Sequence, residues 1–116
     1  MNNKHFNKVV GNQGETIAKK YLVKAGYKIK EMNYKNPLGE IDIIAYDGEV
    51  LAFIEVKYRQ NDFFGLPREA VNNNKQFRIR RVANSYINKY ALHEKTCRFD
   101  VVEILGEEVT IIKDCF

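Results

Sequence analysis

The hydrophobic positions along the chain follow two different periods, and this predicts a mixed α/β fold. Apolar residues recur at three- and four-residue spacing over about 5–25 and 73–91, which predicts two helices. Shorter β-rich runs predict strands at 27–34, 40–46, 49–58, 97–105 and 108–114. With no internal repeat or linker, we expect one domain over 1–116 with the order α-β-β-β-α-β-β, a mixed β-sheet flanked by helices.

The strand EVLAFIEVKY at 49–58 carries charge where a buried strand should be apolar. Successive strand side chains alternate between faces, so Glu55 and Lys57 share a face with Leu51 and Phe53. Both faces begin apolar, which predicts a central strand covered on both sides. The two charges at its end therefore need each other or another partner.

A hairpin is predicted to bring more acids to these charges. An Asp-Gly pair at 47–48 separates two β-rich runs, which is a strong signal for a two-residue loop. If that pair forms the loop, Asp42 lies opposite Phe53 and Glu40 lies opposite Glu55. Directly opposed residues project to one face, so the acids would converge beside the lysine of that strand.

Carboxylates that converge in this way are costly unless a cation neutralises them. Mg²⁺ prefers oxygen ligands and combines one or two carboxylates with waters and phosphate oxygens. A nearby lysine can hold a phosphate or orient a water. The alternative is an ion-paired hairpin end on the surface.

Several motifs in order carry a resemblance to a known family. Asp42 followed by Glu55-Val56-Lys57 resembles the PD-(D/E)XK motif of restriction-endonuclease-like nucleases. GNQGETIAKKYLVKAGYKI, NPLGEIDIIAYDGEVLAFIEVKYR, FGLPREAVNNNKQFRIRRVANSYI and RFDVVEI together resemble the YraN-like family, which is related to archaeal-type Holliday junction resolvases. The resemblance implies a restriction-endonuclease-like fold and a metal-dependent endonuclease. It implies DNA as substrate, branched or structured DNA in particular, in repair or recombination.

The resemblance also implies roles for single residues. Asp42 and Glu55 would bind Mg²⁺ or Mn²⁺, with the backbone carbonyl of Val56 as a further ligand. Lys57 would contact the phosphate or the attacking water. Glu15 matches the acidic residue of the first helix, although pairing with a lysine at i+4 explains it equally well. The classical proline of the PD-(D/E)XK motif before the first acid is replaced by isoleucine, as is normal in this branch. The small hydroxyl residue that family members often carry after the lysine is replaced by tyrosine.

Further residues are predicted to support the site or contact nucleic acid. Glu40 matches the family's GEID sequence, and we expect a structural or electrostatic role for it. Lys75 and Gln76 begin the second helix, where Lys75 either points to the site or extends to solvent. The residues predicted to contact nucleic acid are Arg59, Arg78, Arg80 and Arg81, with a solvated basic face as the alternative for the last three.

The composition limits the kind of partner and the cellular location that we expect for the protein. A net charge of +4 permits a polyanionic partner without requiring one. No apolar run is long enough to cross a membrane, no secretory signal is visible, and the two cysteines form no CxxC motif. We therefore expect a cytoplasmic protein with reduced thiols and no membrane partner. A homodimer would supply two sites for a symmetric junction. The alternative function is a non-catalytic nucleic-acid-binding module that acts through a partner.

Overall fold

The computed structural model describes residues 3–59 and 71–116, with side chains described from residue 13 onward. Within these ranges the element order is the predicted α-β-β-β-α-β-β. The elements are α1 (Asn3–Lys24), β1 (Lys28–Asn36), β2 (Gly39–Asp47), β3 (Val50–Arg59), α2 (Asn73–Lys89), β4 (Cys97–Leu105) and β5 (Glu108–Ile112). The sequence also predicts a loop over 59–66 and a helical turn that opens at Pro67, and of these segments residues 60–70 lie outside the described residues. No helix in the described ranges combines the length and the apolar character needed to cross a membrane.

The five strands form one sheet in the order β1-β2-β3-β4-β5. Strand β3 pairs antiparallel with β2 and parallel with β4, so the sheet is mixed and β3 is central, as predicted. Helix α2 lies in the connection between the two parallel strands, because such a pair needs a crossover. The predicted α/β class is therefore confirmed.

Each face of the sheet is covered by one helix. On the α2 face, Phe53 packs edge-on against Tyr86 with ring centroids 6.1 Å apart, within an apolar cluster that includes Val82. On the α1 face, Leu22 packs in a second cluster with Ile54. Each such buried side chain contributes roughly 1.5–3 kcal/mol to folding. The prediction that both faces of β3 are covered is correct.

The predicted register of the β2–β3 hairpin is wrong by two residues. Asp47 pairs with Val50, so Gly48 and Glu49 form the loop instead of Asp47 and Gly48. Gly48 has φ +61°, and a glycine at the first loop position is what a type II′ turn requires. Asp42 and Glu40 therefore do not oppose the predicted partners. Since the shift is even, the paired residues Ile43–Asp47 keep their predicted faces.

The alternation of β2 is interrupted at Asp42. Ile41 joins the α2-side cluster, but Ile43, two residues later, joins the α1-side cluster. The β2–β3 pairing begins only at Ile43 and Ile54. On the other side of β2, Asn33 lies between two paired positions of β1 and has φ +54°. Strand β2 thus separates from β3 at the acidic end of the hairpin.

At the opposite end, a buried charge network joins the strands. Asp100 is fully buried and accepts hydrogen bonds from the Tyr27 hydroxyl at 3.0 Å and from the Arg98 guanidinium at 2.8 and 2.9 Å. Arg98 also reaches Asp47 at 2.7 Å. Burial, followed by the Asp100 carboxylate, raises the pKa of Tyr27 well above its usual range, so the phenol stays protonated and donates. The network attaches the α1–β1 turn to β4.

We predict that Asp100→Asn destabilises the protein by about 3 kcal/mol, because the partly buried Arg98 guanidinium loses the fully buried carboxylate that is its main counter-charge. Urea unfolding monitored by circular dichroism measures the change. Glu94→Gln is the control, since Glu94 is exposed and lies in the turn after α2, outside this network. Equal stability of the two variants would contradict a structural role for this network.

Candidate active site

The candidate site lies where β2 separates from β3. The Val56 N–H of β3 donates a hydrogen bond of 2.8 Å to Oδ2 of Asp42. The Asp42 carboxylate therefore takes the place of a backbone acceptor that β2 no longer supplies at this position. The separation leaves a cavity of about 260 Å³, lined by Gly14, Glu15, Asp42, Glu55, Val56, Tyr58 and Lys75.

Residues from both faces of the sheet reach this cavity. Glu15 comes from α1 and Lys75 from α2, although the two helices cover opposite faces. Asp42 and Glu55 come from the two separating strands. The predicted residues Glu15, Asp42 and Glu55 are thus brought to one cavity, and Lys75 points to it rather than only to solvent.

Three carboxylates form a compact group, of which Glu15 and Asp42 line the cavity and Glu40 lines a neighbouring depression. One oxygen each of Glu15, Glu40 and Asp42 lies within 4.8 Å of the others. Burial and then the Asp42 charge raise the pKa of Glu15, while a hydrogen bond from Asn33 opposes the rise. Like charges at this separation favour either a bound cation or a shared proton.

Glu55 is the most buried acid of the site, with its side chain only 6% exposed. Its Oε1 pairs with Nζ of Lys75 at 2.7 Å, whereas its Oε2 is buried and has no hydrogen-bond partner among the described residues. Burial and then the Asp42 charge raise the pKa of Glu55 to about 7, against the pull of Lys75. An unpaired buried carboxylate oxygen beside further acids fits a hard cation.

Two lysine side chains meet beside these acids. Burial, and then the neighbouring Lys75, lower the pKa of Lys57 to about 8. Burial alone would lower the pKa of Lys75, but the Glu55 carboxylate outweighs it and the pKa is raised. Lys75 is therefore held in an ion pair with Glu55, whereas Lys57 loses its proton more readily because its pKa is lowered.

Other predicted residues have partners away from the cavity. Gln76 donates through Nε2 to the Val71 carbonyl at 2.7 Å, which fastens the chain entering α2. Arg59 pairs with Glu103 at 2.9 Å. Arg80 lies over the Phe99 ring, 4.5 Å from its centroid.

The remaining arginines, Arg78 and Arg81, line two other depressions on the surface. The Val56 side chain packs against the α1-side cluster. Its backbone carbonyl stays a predicted ligand.

Asn33 is the site residue that sequence reasoning missed. Its left-handed backbone interrupts β1 opposite Asp42, and its amide reaches Glu15. Asparagine adopts this conformation more readily than most residues. The sequence MNY reads as ordinary strand, so only the general tolerance of asparagine for positive φ could have indicated it.

Comparisons with known proteins agree on one family. A family model described as "Uncharacterised protein family UPF0102" matches residues 14–104. A UPF0102 protein of Alkaliphilus metalliredigens is 50% identical over 107 residues, covering 91% of this chain and 94% of the relative. UPF0102 proteins of Clostridium beijerinckii and Clostridium tetani are 47% and 42% identical, and each alignment covers at least 96% of both chains.

We predict that the Glu55 carboxyl titrates near pH 7 in metal-free protein, as followed by ¹³C NMR of labelled glutamate. Lys75→Met should raise this midpoint further, because Lys75 is the cation that opposes the shift. Lys89→Met, at the far end of α2, is the control and should leave it unchanged. Since the folded pKa lies above the unfolded one, the contribution of Glu55 to stability falls as pH rises from about 4.5 through about 7. A midpoint near 4.5 that Lys75→Met does not move would contradict the burial and pairing described above.

Proposed function

This chain belongs to the uncharacterised protein family UPF0102, and from the geometry of its acidic cavity we propose that it is a metal-dependent nuclease that hydrolyses DNA phosphodiester bonds. One observation carries the proposal. Glu55 is buried with one oxygen held by Lys75 and the other without a partner in the described chain, in a cavity that Asp42 and Glu15 also line. A buried carboxylate with one unpaired oxygen is destabilising unless a proton or a second cation neutralises it, and the neighbouring acids favour a divalent cation.

The donor set fits Mg²⁺ or Mn²⁺. Asp42 and Glu55 offer carboxylate oxygens at the same cavity, and the Val56 carbonyl belongs to the residue that Asp42 already contacts. Glu15 and Glu40 can hold ligand waters, since their carboxylates lie beside Asp42. A bound divalent ion would acidify a coordinated water and offset the charge of the phosphate.

The protein's own side chains supply the remaining steps. Lys75 fixes one oxygen of Glu55 and so orients the carboxylate. Lys57 donates to a non-bridging phosphate oxygen and stabilises the charge that develops there. Glu15, whose pKa is raised, accepts a proton from the attacking water. In-line attack would leave 5′-phosphate and 3′-hydroxyl ends, as in the nucleases that the sequence resembles.

Branched or structured DNA is the substrate class to test first, on the strength of that resemblance. No base-reading motif is visible in the sequence, and contacts to the backbone specify no sequence. A pathway in repair or recombination follows if such substrates are preferred. Symmetric junctions need two cuts, and a homodimer would bring two sites.

We predict that the protein cleaves labelled DNA in Mg²⁺ or Mn²⁺ but not in EDTA, and that Glu55→Gln lowers the cleavage rate by about 10²–10³-fold. Glutamine keeps the shape of the side chain but removes the charge that binds the cation. Four-way junction, flap, duplex and single-stranded DNA are assayed in parallel. Glu49→Gln in the β2–β3 loop, an exposed acid at the opposite end of β3 from Glu55, is the matched control.

Calorimetry with Mn²⁺ alone separates binding from catalysis. Wild-type protein should bind the ion and Glu55→Gln should bind it more weakly. Full activity of Glu55→Gln would overturn the nuclease assignment. Metal and DNA binding without cleavage of any substrate would favour the non-catalytic binding module.

A further inference from the structure

The two flanks of α2 carry arginines with different surroundings. Arg80 lies over Phe99 of β4, so its flank of the helix is turned toward that strand. Ser85 Oγ accepts a hydrogen bond of 3.4 Å from Nδ2 of Asn36 at the end of β1. The flank of α2 that carries Ser85 therefore faces the β1–β2 turn. Arg78 and Arg81 belong to the second flank, because both line depressions there.

Two depressions on this flank continue from the candidate active site. The nearer one, of about 180 Å³, shares Lys75 with the acidic cavity and is also lined by Gly39, Glu40, Arg78 and Ile79. The farther one, of about 410 Å³, lies one helical turn on and is lined by Leu38, Arg81, Asn84, Ser85 and Asn88. Leu38 and Gly39 are adjacent in the β1–β2 turn. These two depressions lie side by side between α2 and that turn, and we refer to them as the groove.

The chemistry along the groove changes in order. The cations Arg78 and Arg81 come first, three residues apart along the helix, beyond Lys75, which is paired with Glu55, and the acid Glu40. Neutral amides follow at Asn84 and Asn88. The cations suit a row of phosphates, and the amides suit the sugars or base edges of the same chain.

We propose that this groove binds one nucleic-acid strand as it leaves the candidate active site, an inference that rests on the proposed function. The cations lie in one row along one helix, which matches the single phosphate row of one strand. From Lys75 to Asn88 the helix rises about 20 Å. At about 3.4 Å per nucleotide along one strand, that length holds at most about six nucleotides.

Measuring nucleic-acid binding in EDTA tests the groove while cleavage is blocked, because EDTA removes the divalent cation. The probes are a fluorescent DNA with a single-stranded end of about 12 nucleotides, enough to cover the groove with margin, and the RNA of the same sequence. We expect Arg78→Gln and Arg81→Gln each to weaken binding about three- to tenfold and to lower the salt slope by about one. Lys20→Gln, which removes the same charge from the exposed surface of α1, should change neither. Unchanged melting temperatures verify that the variants are folded.

Photocrosslinking gives the direction of the strand. Benzoylphenylalanine at position 88 should react with one strand, on one side of the cleaved phosphate and about three to six nucleotides from it. The same group at position 20 should not. A comparable loss of affinity in Lys20→Gln, or adducts on both sides of the cleaved phosphate, would contradict the proposal that the groove binds one strand.

The outcomes separate the two proposals. If Arg78→Gln and Arg81→Gln bind nucleic acid as tightly as wild-type protein, the proposed role of the groove is wrong and the nuclease assignment stands. If these two variants alone weaken binding but the wild-type protein cleaves no DNA, the proposed role of the groove stands and the nuclease assignment is wrong. If wild-type protein binds neither DNA nor RNA, both proposals fail.

Discussion

The hydrogen bond from the Val56 N–H to the Asp42 carboxylate is the contact on which the site depends. It lies in the central strand, where an unsatisfied backbone donor would cost about 1–3 kcal/mol. Because a side chain accepts this bond, β2 can leave β3 one residue after their last pair and open a cavity between them. Asp42 is therefore both a structural acceptor and a candidate ligand, and its substitution would confound the two roles. Glu55 makes no such backbone bond in the described contacts, which is why it is the better residue for separating catalysis from folding.

The electrostatics of the cavity follow from that opening. Carboxylates from two strands and from α1 lie together with Lys75 in a partly buried space, and Lys57 lies beside Lys75. Burial raises the pKa of Glu15 and of Glu55 and lowers that of Lys57, so each of these groups is moved toward its neutral form. Such shifts cluster at functional sites, because an arrangement optimised for stability alone would keep these charges in water.

Periodicity in the sequence predicted the elements, the central position of β3 and the face of each of its side chains, because those depend on spacing alone. It placed the hairpin loop one residue too early, since an Asp-Gly pair and a Gly-Glu pair both suit a two-residue turn. The reach of Asn33 to Glu15 and the pairing of Glu55 with Lys75 depend on how the helices are placed against the sheet. The separation of Arg80 from Arg81 has the same origin, because adjacent residues of a helix point about 100° apart.

The opening between β2 and β3 also explains how helices on opposite faces can serve one site. In a continuous sheet, side chains of α1 and α2 would be kept apart by the strands. At the gap, α1 contributes the acid Glu15 and α2 contributes the cation Lys75. Glu55 lies between the two contributions, because its carboxylate faces the cavity and pairs with Lys75. In the proposed function, a phosphodiester would approach from the α2 side, along the flank that carries Arg78 and Arg81.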